Sequence, residues 1–259
     1  MNPAEDDLAP FLHARSGRPR WVPVPEARRP RDMAEGYRLQ HRLHAALAAQ
    51  GIHHVGYKIG CTSMAGQRSF GLDEPVYAGI FDTTRAATLR EALVAPLLAP
   101  MVECEIAFVM GAGLDGDADL SDDALGAAVA TAHVACEVVD ARYGVPPPEI
   151  GAPTLLTDDF LHVGFVLGPP APDWRTLPLG ARAGAIEIDG AVHAGSTAEV
   201  LAPFEALRWL VRKLAANGER MEAGAVVLTG TLVAPTPIRL PARHVAIEVE
   251  GFGRLDLRD

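Results

Sequence analysis

Two mostly apolar stretches broken only by acids, Met101–Met110 (MVECEIAFVM) and Val134–Asp140 (VACEVVD), constrain this chain more than any other feature in it. Successive side chains of an extended strand point to opposite faces. Val102, Cys104, Ile106 and Phe108 therefore share one side, and Glu103, Glu105, Ala107 and Val109 the other. The first set reads as core. The second places two carboxylates beside apolar residues, where they repel each other and lose hydration unless a cation joins them. Glu137 repeats the pattern, alone in the second apolar strand. Three carboxylates from two strands suit a hard divalent cation, Mg2+ or Mn2+, with positions left open for water and substrate. The plainer reading is a solvated face of an antiparallel sheet, the usual setting of a Glu-x-Glu strand. Ala107, Val109 and the isolated Glu137 count against it.

Around these strands the chain reads as a mixed structure. Residues 1–31, rich in proline and arginine with one apolar patch at Leu8–Leu12, read as a loosely built arm, and residues 32–259 as a single domain. A helix is expected over Asp32–Gln50, with Asp32 as N-cap, Glu35 three residues on, and Gly51 as its stop. His53–Ile59 alternates as a strand that carries Lys58 near its end, and Gly60–Asp82 reads as a long loop of the kind that covers sites. Further helices are expected over Ser121–His133 and Pro203–Asn217. Further strands are expected at Phe165–Leu167, Ala225–Thr229, Val245–Val249 and Arg254–Leu257, with a hairpin over Ala185–His193 about Asp189-Gly190. Strands outnumber helices without regular alternation, which predicts an α+β fold, mixed and mostly antiparallel, flanked by a few helices.

Composition narrows the function classes. The chain has 259 residues, 49% of them hydrophobic and 22% charged, which is ordinary globular usage. A net charge of −10 argues against a nucleic acid or an anionic membrane as partner, because neutralising phosphate needs clustered Lys and Arg. Cys61, Cys104 and Cys136 show no C-x-x-C spacing, so a disulfide framework is not expected and a reducing cytoplasm is. No apolar run approaches the ~20 residues of a membrane span, and the N-terminus lacks the apolar core of a signal peptide. Gly111-Ala112-Gly113 does not complete a phosphate loop, and no G-x-S-x-G elbow is present.

The chain also resembles a known family. Gly56-Tyr57-Lys58-Ile59-Gly60-Cys61-Thr62-Ser63, then Asp73-Glu74-Pro75-Val76-Tyr77-Ala78-Gly79, is similar to the opening signature of the 2-keto-4-pentenoate hydratases of the fumarylacetoacetate hydrolase superfamily. Tyr37 and Gln40, the acids Glu103, Glu105 and Glu137, Trp209, and the run Ala223–Leu232 follow in the family's order. The resemblance implies a β-roll, a divalent metal on Glu103, Glu105 and Glu137, homo-oligomers, and small 2-oxo acid or dienol substrates from aromatic breakdown. It implies addition of water to a 2-hydroxy-2,4-dienoate, giving a 4-hydroxy-2-oxo acid. Lys58 would neutralise the substrate carboxylate or shuttle a proton, with Asp158 as a second catalytic residue. Thr62, Ser63 and Asp82 of a covering loop, with Thr229, Gly230 and Thr231, would hold the substrate. Decarboxylation of a 2-oxo-enedioate (the 4-oxalocrotonate type) is the nearest alternative. Acylpyruvate C–C hydrolysis follows, although those hydrolases use a lid histidine and none lies between His54 and His133. A non-catalytic oxo-acid-binding paralogue is the last alternative. Two stretches depart from the pattern: Thr157-Asp158-Asp159-Phe160-Leu161 replaces Ala-Asp-Asn-Ala-Ser, and Ser63-Met64-Ala65-Gly66-Gln67 replaces Ser-Lys-Ala-Met-Gln.

Overall fold

The structure, a computed structural model, describes residues 7–15, 24–94 and 96–257. Its strands are β1 (His54–Gly60), β2 (Val76–Phe81), β3 (Arg85–Ala86), β4 (Pro100–Met110), β5 (Val129–Asp140), β6 (His162–Pro170), β7 (Ala183–Ile188), β8 (Ala191–Ser196), β9 (Val226–Thr231), β10 (Thr236–Pro237), β11 (Val245–Val249) and β12 (Gly253–Asp256). The larger sheet runs β2-β1-β9-β4-β5-β6-β3 with β10 attached to β4, and the smaller runs β12-β11-β7-β8. Among the described residues β1–β9 and β3–β6 pair in parallel and the other strand pairs are antiparallel. This is the mixed, mostly antiparallel α+β arrangement expected from the strand pattern.

The alternation in β4 sorts its side chains as the sequence predicts. Val102, Cys104, Ile106 and Phe108 are fully buried in the main core. That face meets the smaller sheet, where the Cys104 thiol donates to the Glu248 carbonyl at 3.4 Å. Ala107 on the opposite face joins Ala135, Phe165, Val226 and Leu228 in a second, smaller apolar cluster. Both faces of β4 are therefore covered. The glutamate side is not a solvated sheet surface, and the plainer reading of Glu-x-Glu fails.

Several elements match their expected spans. The helix Met33–Ala48 is capped by Asp32, whose carboxylate accepts from the Glu35 amide at 2.8 Å, and the later helix covers Pro203–Ala216. The β7–β8 hairpin turns on Asp189 and Gly190 with φ of 49° and 92°, as a tight Asp-Gly turn requires.

Others need correction. Gly60–Asp82 is not a long loop. Ser63 caps a helix over Met64–Phe70, Gly71 ends it in the left-handed region at φ 66°, and the fully buried β2 follows. The helix expected over Ser121–His133 is only Asp122–Ala128, and β5 already begins at Val129. Pairing of Val129–Thr131 with Val109–Met110 outweighs the helical preference of an alanine-rich segment. Within the expected arm, Ala9–Ala14 is a helix, and Leu8 and Phe11 sit in the core. Residues 1–6 and 16–23 of that expected arm lie outside the described residues. Among the described residues no helix is long and apolar enough to cross a membrane.

Candidate metal and substrate site

Register brings the three acids together. β4 and β5 pair so that Glu103 stands directly opposite Glu137, while Glu105 stands opposite Ala135 on one side and Thr231 of β9 on the other. One carboxylate oxygen from each of Glu103, Glu105 and Glu137 can be chosen so that all three lie within 4.8 Å of one another. Like charges directly opposite across a sheet are destabilising, so this arrangement needs a compensating cation. Lys58 of β1 supplies one from within the protein. It is 3% exposed, its Nζ lies 3.1 Å from Glu137 Oε1, and it donates to the Phe160 carbonyl at 3.1 Å. The lysine does not snorkel to solvent, the commoner outcome for a strand lysine.

The titration of the cluster follows from who is paired. Burial would raise Glu137, but Lys58 and His162 hold it below the usual carboxylate range. Burial followed by Glu137 pushes Glu103 up to about 7, and burial followed by Glu137 and Glu103 pushes Glu105 well above its ordinary value. Burial alone would lower Lys58, yet Glu137, Glu103 and Glu105 together keep it above its ordinary value, hence protonated. One lysine thus neutralises one acid and leaves two unbalanced. Glu105 Oε1 and Glu137 Oε2 are buried with no hydrogen-bond partner among the described residues. Buried carboxylate oxygens without hydrogen-bond partners, all hard donors, fit a divalent cation.

Further contacts orient the acids. The Gly230 amide donates to Glu105 Oε2 at 2.8 Å. His162 Nδ1 lies 2.9 Å from Glu137 Oε1 and its Nε2 lies 2.9 Å from the Thr84 hydroxyl. That ring braces Glu137 in the way that outer partners orient metal-binding groups. Gly230 has φ 104°, and a Cβ there would lie 2.5 Å from Thr62, so only glycine lets β9 approach this closely.

Beside the acids opens a cavity of about 310 Å3, lined by Lys58, Thr62, Ser63, Glu103 and Thr231 among others. Thr229 lies just behind, its hydroxyl donating to the Ile106 carbonyl at 2.8 Å, so it holds β9 to β4. Two expected site residues are placed elsewhere. Asp82 is exposed and accepts from the His53 and Thr83 amides at 3.0 and 2.8 Å, which pins a turn. Asp158 is fully buried away from the cavity lining, with its carboxylate taken by Arg142 Nε at 2.9 Å, Tyr143 Oη at 2.8 Å and Arg15 Nε at 3.4 Å. A carboxylate already held by two guanidinium groups and a phenol acts as a structural anchor.

The residues missed from sequence follow Asp158 directly. Asp159, Phe160 and Leu161 have φ of 50°, 50° and 72°, a left-handed run without glycine that costs about 1–3 kcal/mol per residue. Asp159 holds this run in place, since it accepts from the Gly79 amide at 2.7 Å, pairs with His44 Nε2 at 2.8 Å, and binds Arg15. The strained turn aims the Phe160 carbonyl at Lys58 and sets Phe160 and Leu161 into the cavity wall. Only the unusual sequence Asp158–Leu161 hinted at it.

Known proteins share the sequence and the fold of this chain. No family model matches the chain. A 2-keto-4-pentenoate hydratase of Paraburkholderia phymatum is 31% identical over 254 residues, covering 97% of this chain and 95% of that one. A 4-oxalocrotonate decarboxylase of a Pseudomonas species is 31% identical over 226 residues, covering 85% and 84%. Among solved structures, 4-oxalocrotonate decarboxylase from Pseudomonas putida G7, complexed with magnesium and adipate, superposes with a TM-score of 0.84 at 23% identity over 99% of this chain and 98% of that one. Fumarylpyruvate hydrolase from Pseudomonas aeruginosa, complexed with Mn2+ and pyruvate, gives 0.60 at 17% identity over 77% and 86%. The likeness in sequence places the chain in the 2-keto-4-pentenoate hydratase / 4-oxalocrotonate decarboxylase family, and the likeness in structure gives it the fumarylacetoacetate hydrolase-like fold.

Proposed function

We propose that this protein is a metal-dependent hydro-lyase that adds water to a 2-hydroxy-2,4-dienoate, giving a 4-hydroxy-2-oxo acid. The observation that carries the reading is the convergence of Glu103, Glu105 and Glu137 beside the buried Lys58, next to a cavity that Lys58 and Glu103 line. The hydratase names among its relatives support it. A divalent cation, Mg2+ or Mn2+, held by the three acids supplies a Lewis acid for the substrate's 2-oxo oxygen. Lys58, 3.1 Å from Glu137, would set an N–H donor and a positive charge near the substrate's acid end, neutralising its carboxylate or shuttling a proton. Ketonisation moves the enol proton to C5, and water then adds across C3=C4 with hydroxyl to C4 and proton to C3. The helix Met64–Phe70 and the Phe160–Leu161 turn wall off bulk water while this happens. The same reading makes the protein a cytoplasmic homo-oligomer acting in the breakdown of aromatic compounds.

Product analysis by NMR with Mg2+ and 2-hydroxypenta-2,4-dienoate tests the proposal, and 4-hydroxy-2-oxopentanoate is the expected product. Decarboxylation is the second reading, supported by the decarboxylase names among the relatives. Release of CO2 from a 2-oxo-enedioate with no hydration of the dienoate would replace the first reading with the second.

A further inference from the structure

The Lys58 ammonium carries three N–H donors, and Glu137 and the Phe160 carbonyl take two of them, each at 3.1 Å. Two fixed bonds on a tetrahedral nitrogen fix the direction of the third. The Phe160 ring also lies beside the ammonium, its centroid 5.7 Å from Nζ. Phe160 stands in the middle of the left-handed run Asp159–Leu161, and such strain persists only where the surroundings over-determine it. Asp159 gathers those surroundings: Oδ1 accepts from His44 Nε2 at 2.8 Å and from the Gly79 amide at 2.7 Å, and Oδ2 binds Arg15. An ionised carboxylate only accepts, so His44 Nε2 carries the proton. The imidazole has space made for it. Gly79 lies in the regular strand β2, yet a Cβ there would lie 2.6 Å from His44 Cε1 and 2.9 Å from Nε2, so space rather than backbone freedom calls for glycine. Gly79 stands opposite Tyr57, and successive strand residues face opposite ways. His44 therefore lies on the Tyr57 face of the sheet, Lys58 points to the other, and the path between them is the turn at the edge strand β2.

We infer that His44 is a positioning residue for Lys58, acting from the opposite face of the sheet through Asp159 and the left-handed turn. By holding Asp159 it keeps the Phe160 carbonyl and ring on the ammonium, and so sets where the remaining Lys58 N–H points. The chain departs from its family's pattern at both links. Asp159 stands where that pattern has Asn and gives His44 a charge to hold, and Phe160 stands in place of Ala and gives Lys58 a ring. The inference rests on the proposed role of Lys58 only for its effect on turnover.

The chain has two lysines, Lys58 and Lys213, so NMR of the protein labelled with nitrogen-15 at the lysine Nζ gives two ammonium signals, and Lys213→Arg assigns them. In the unaltered protein the Lys58 signal is expected to exchange slowly with water, as a buried, hydrogen-bonded group does. His44→Ala, and Gly79→Ala, whose methyl group displaces the imidazole, are each expected to speed that exchange about tenfold or more and to cut turnover about as far. His44→Gln, whose amide can still donate to Asp159, is expected to keep both near the unaltered values. Leu125→Ala, a core deletion on the helix Asp122–Ala128, is expected to lower the melting temperature and leave the signal in place, which separates positioning from loss of stability. Should one of the two disruptive variants fail to fold, the other decides. A Lys58 ammonium that exchanges freely in the unaltered protein, that the folded disruptive variants leave unchanged, or that Leu125→Ala moves as far, would overturn the inference. A signal that responds as expected in a protein that hydrates no dienoate would instead sink the proposed reaction and leave the inference standing.

Discussion

At the scale of single residues the site is a charge problem with one internal answer and one external one. Lys58 balances Glu137, and Glu103 and Glu105 remain driven toward protonation by burial and by their neighbours. Glu103→Gln is expected to abolish metal-dependent turnover while the protein stays folded. Its metal-free melting temperature should hold or rise, because one of three repelling carboxylates is gone. A large fall in that temperature would mean that Glu103 is structural. Lys58→Met should impair turnover severely and leave the metal bound, as read by competition with a metal-sensitive dye; near-normal turnover would remove Lys58 from the mechanism. His162→Ala, which strips the brace from Glu137, should weaken metal affinity about 10–100-fold, the usual effect of losing an outer partner.

At the scale of elements, close approach of strands decides what is allowed. Gly56 of β1 has φ +154°, and a Cβ there would lie 1.9 Å from the Val226 carbonyl oxygen of β9. This parallel pair carries Lys58 toward the acids, with Gly56 opposite Val226 and Lys58 opposite Leu228. Gly56→Ala should therefore cost about 3 kcal/mol by urea unfolding and lower turnover too, since β1 must shift to admit the methyl group. A wild-type midpoint would show that the strands relax freely. Elements with punctuation were legible from sequence: Asp32 opens one helix, and Asp189-Gly190 turns the hairpin. The same signals stood in Gly60–Asp82, where Ser63 caps, Gly71 stops, and Val76–Phe81 is continuously apolar. A seven-residue helix shows too few turns for periodicity to stand out, and a strand buried on both faces has no alternation to see.

For the whole molecule, the described N-terminal helix ties the core to the site through Arg15, which pairs with Asp158 and Asp159. Burial would raise Asp159, but His44, Arg15 and the Gly79 amide hold it well below the usual carboxylate range. Its folded-state value is below its unfolded one, so the stability it contributes is present above pH ~4 and drains as the pH falls toward the folded value. Acid titration of the unfolding free energy should show this loss, and Arg15→Gln should shrink it; an unchanged acid limb would detach the arm from the strained turn. Saturating Mg2+ at a hundredfold over its Kd should add about 2.7 kcal/mol, or about 5–10 °C in melting temperature, which EDTA should remove.

The sequence by itself determined what is periodic or chemically unusual: the sorting of β4 into core and acid faces, the helix caps, and three carboxylates set among apolar residues of two strands. These follow from local geometry, because a strand's alternation and a side chain's desolvation cost do not depend on distant partners. Tertiary structure alone decided that Glu103 stands opposite Glu137, that Lys58 is held by the Phe160 carbonyl, and that Asp158 anchors Arg15 and Arg142 and does not face the cavity. Those outcomes rest on register and on contacts between residues up to about a hundred and forty positions apart, as from Arg15 to Asp159, where no local pattern reaches.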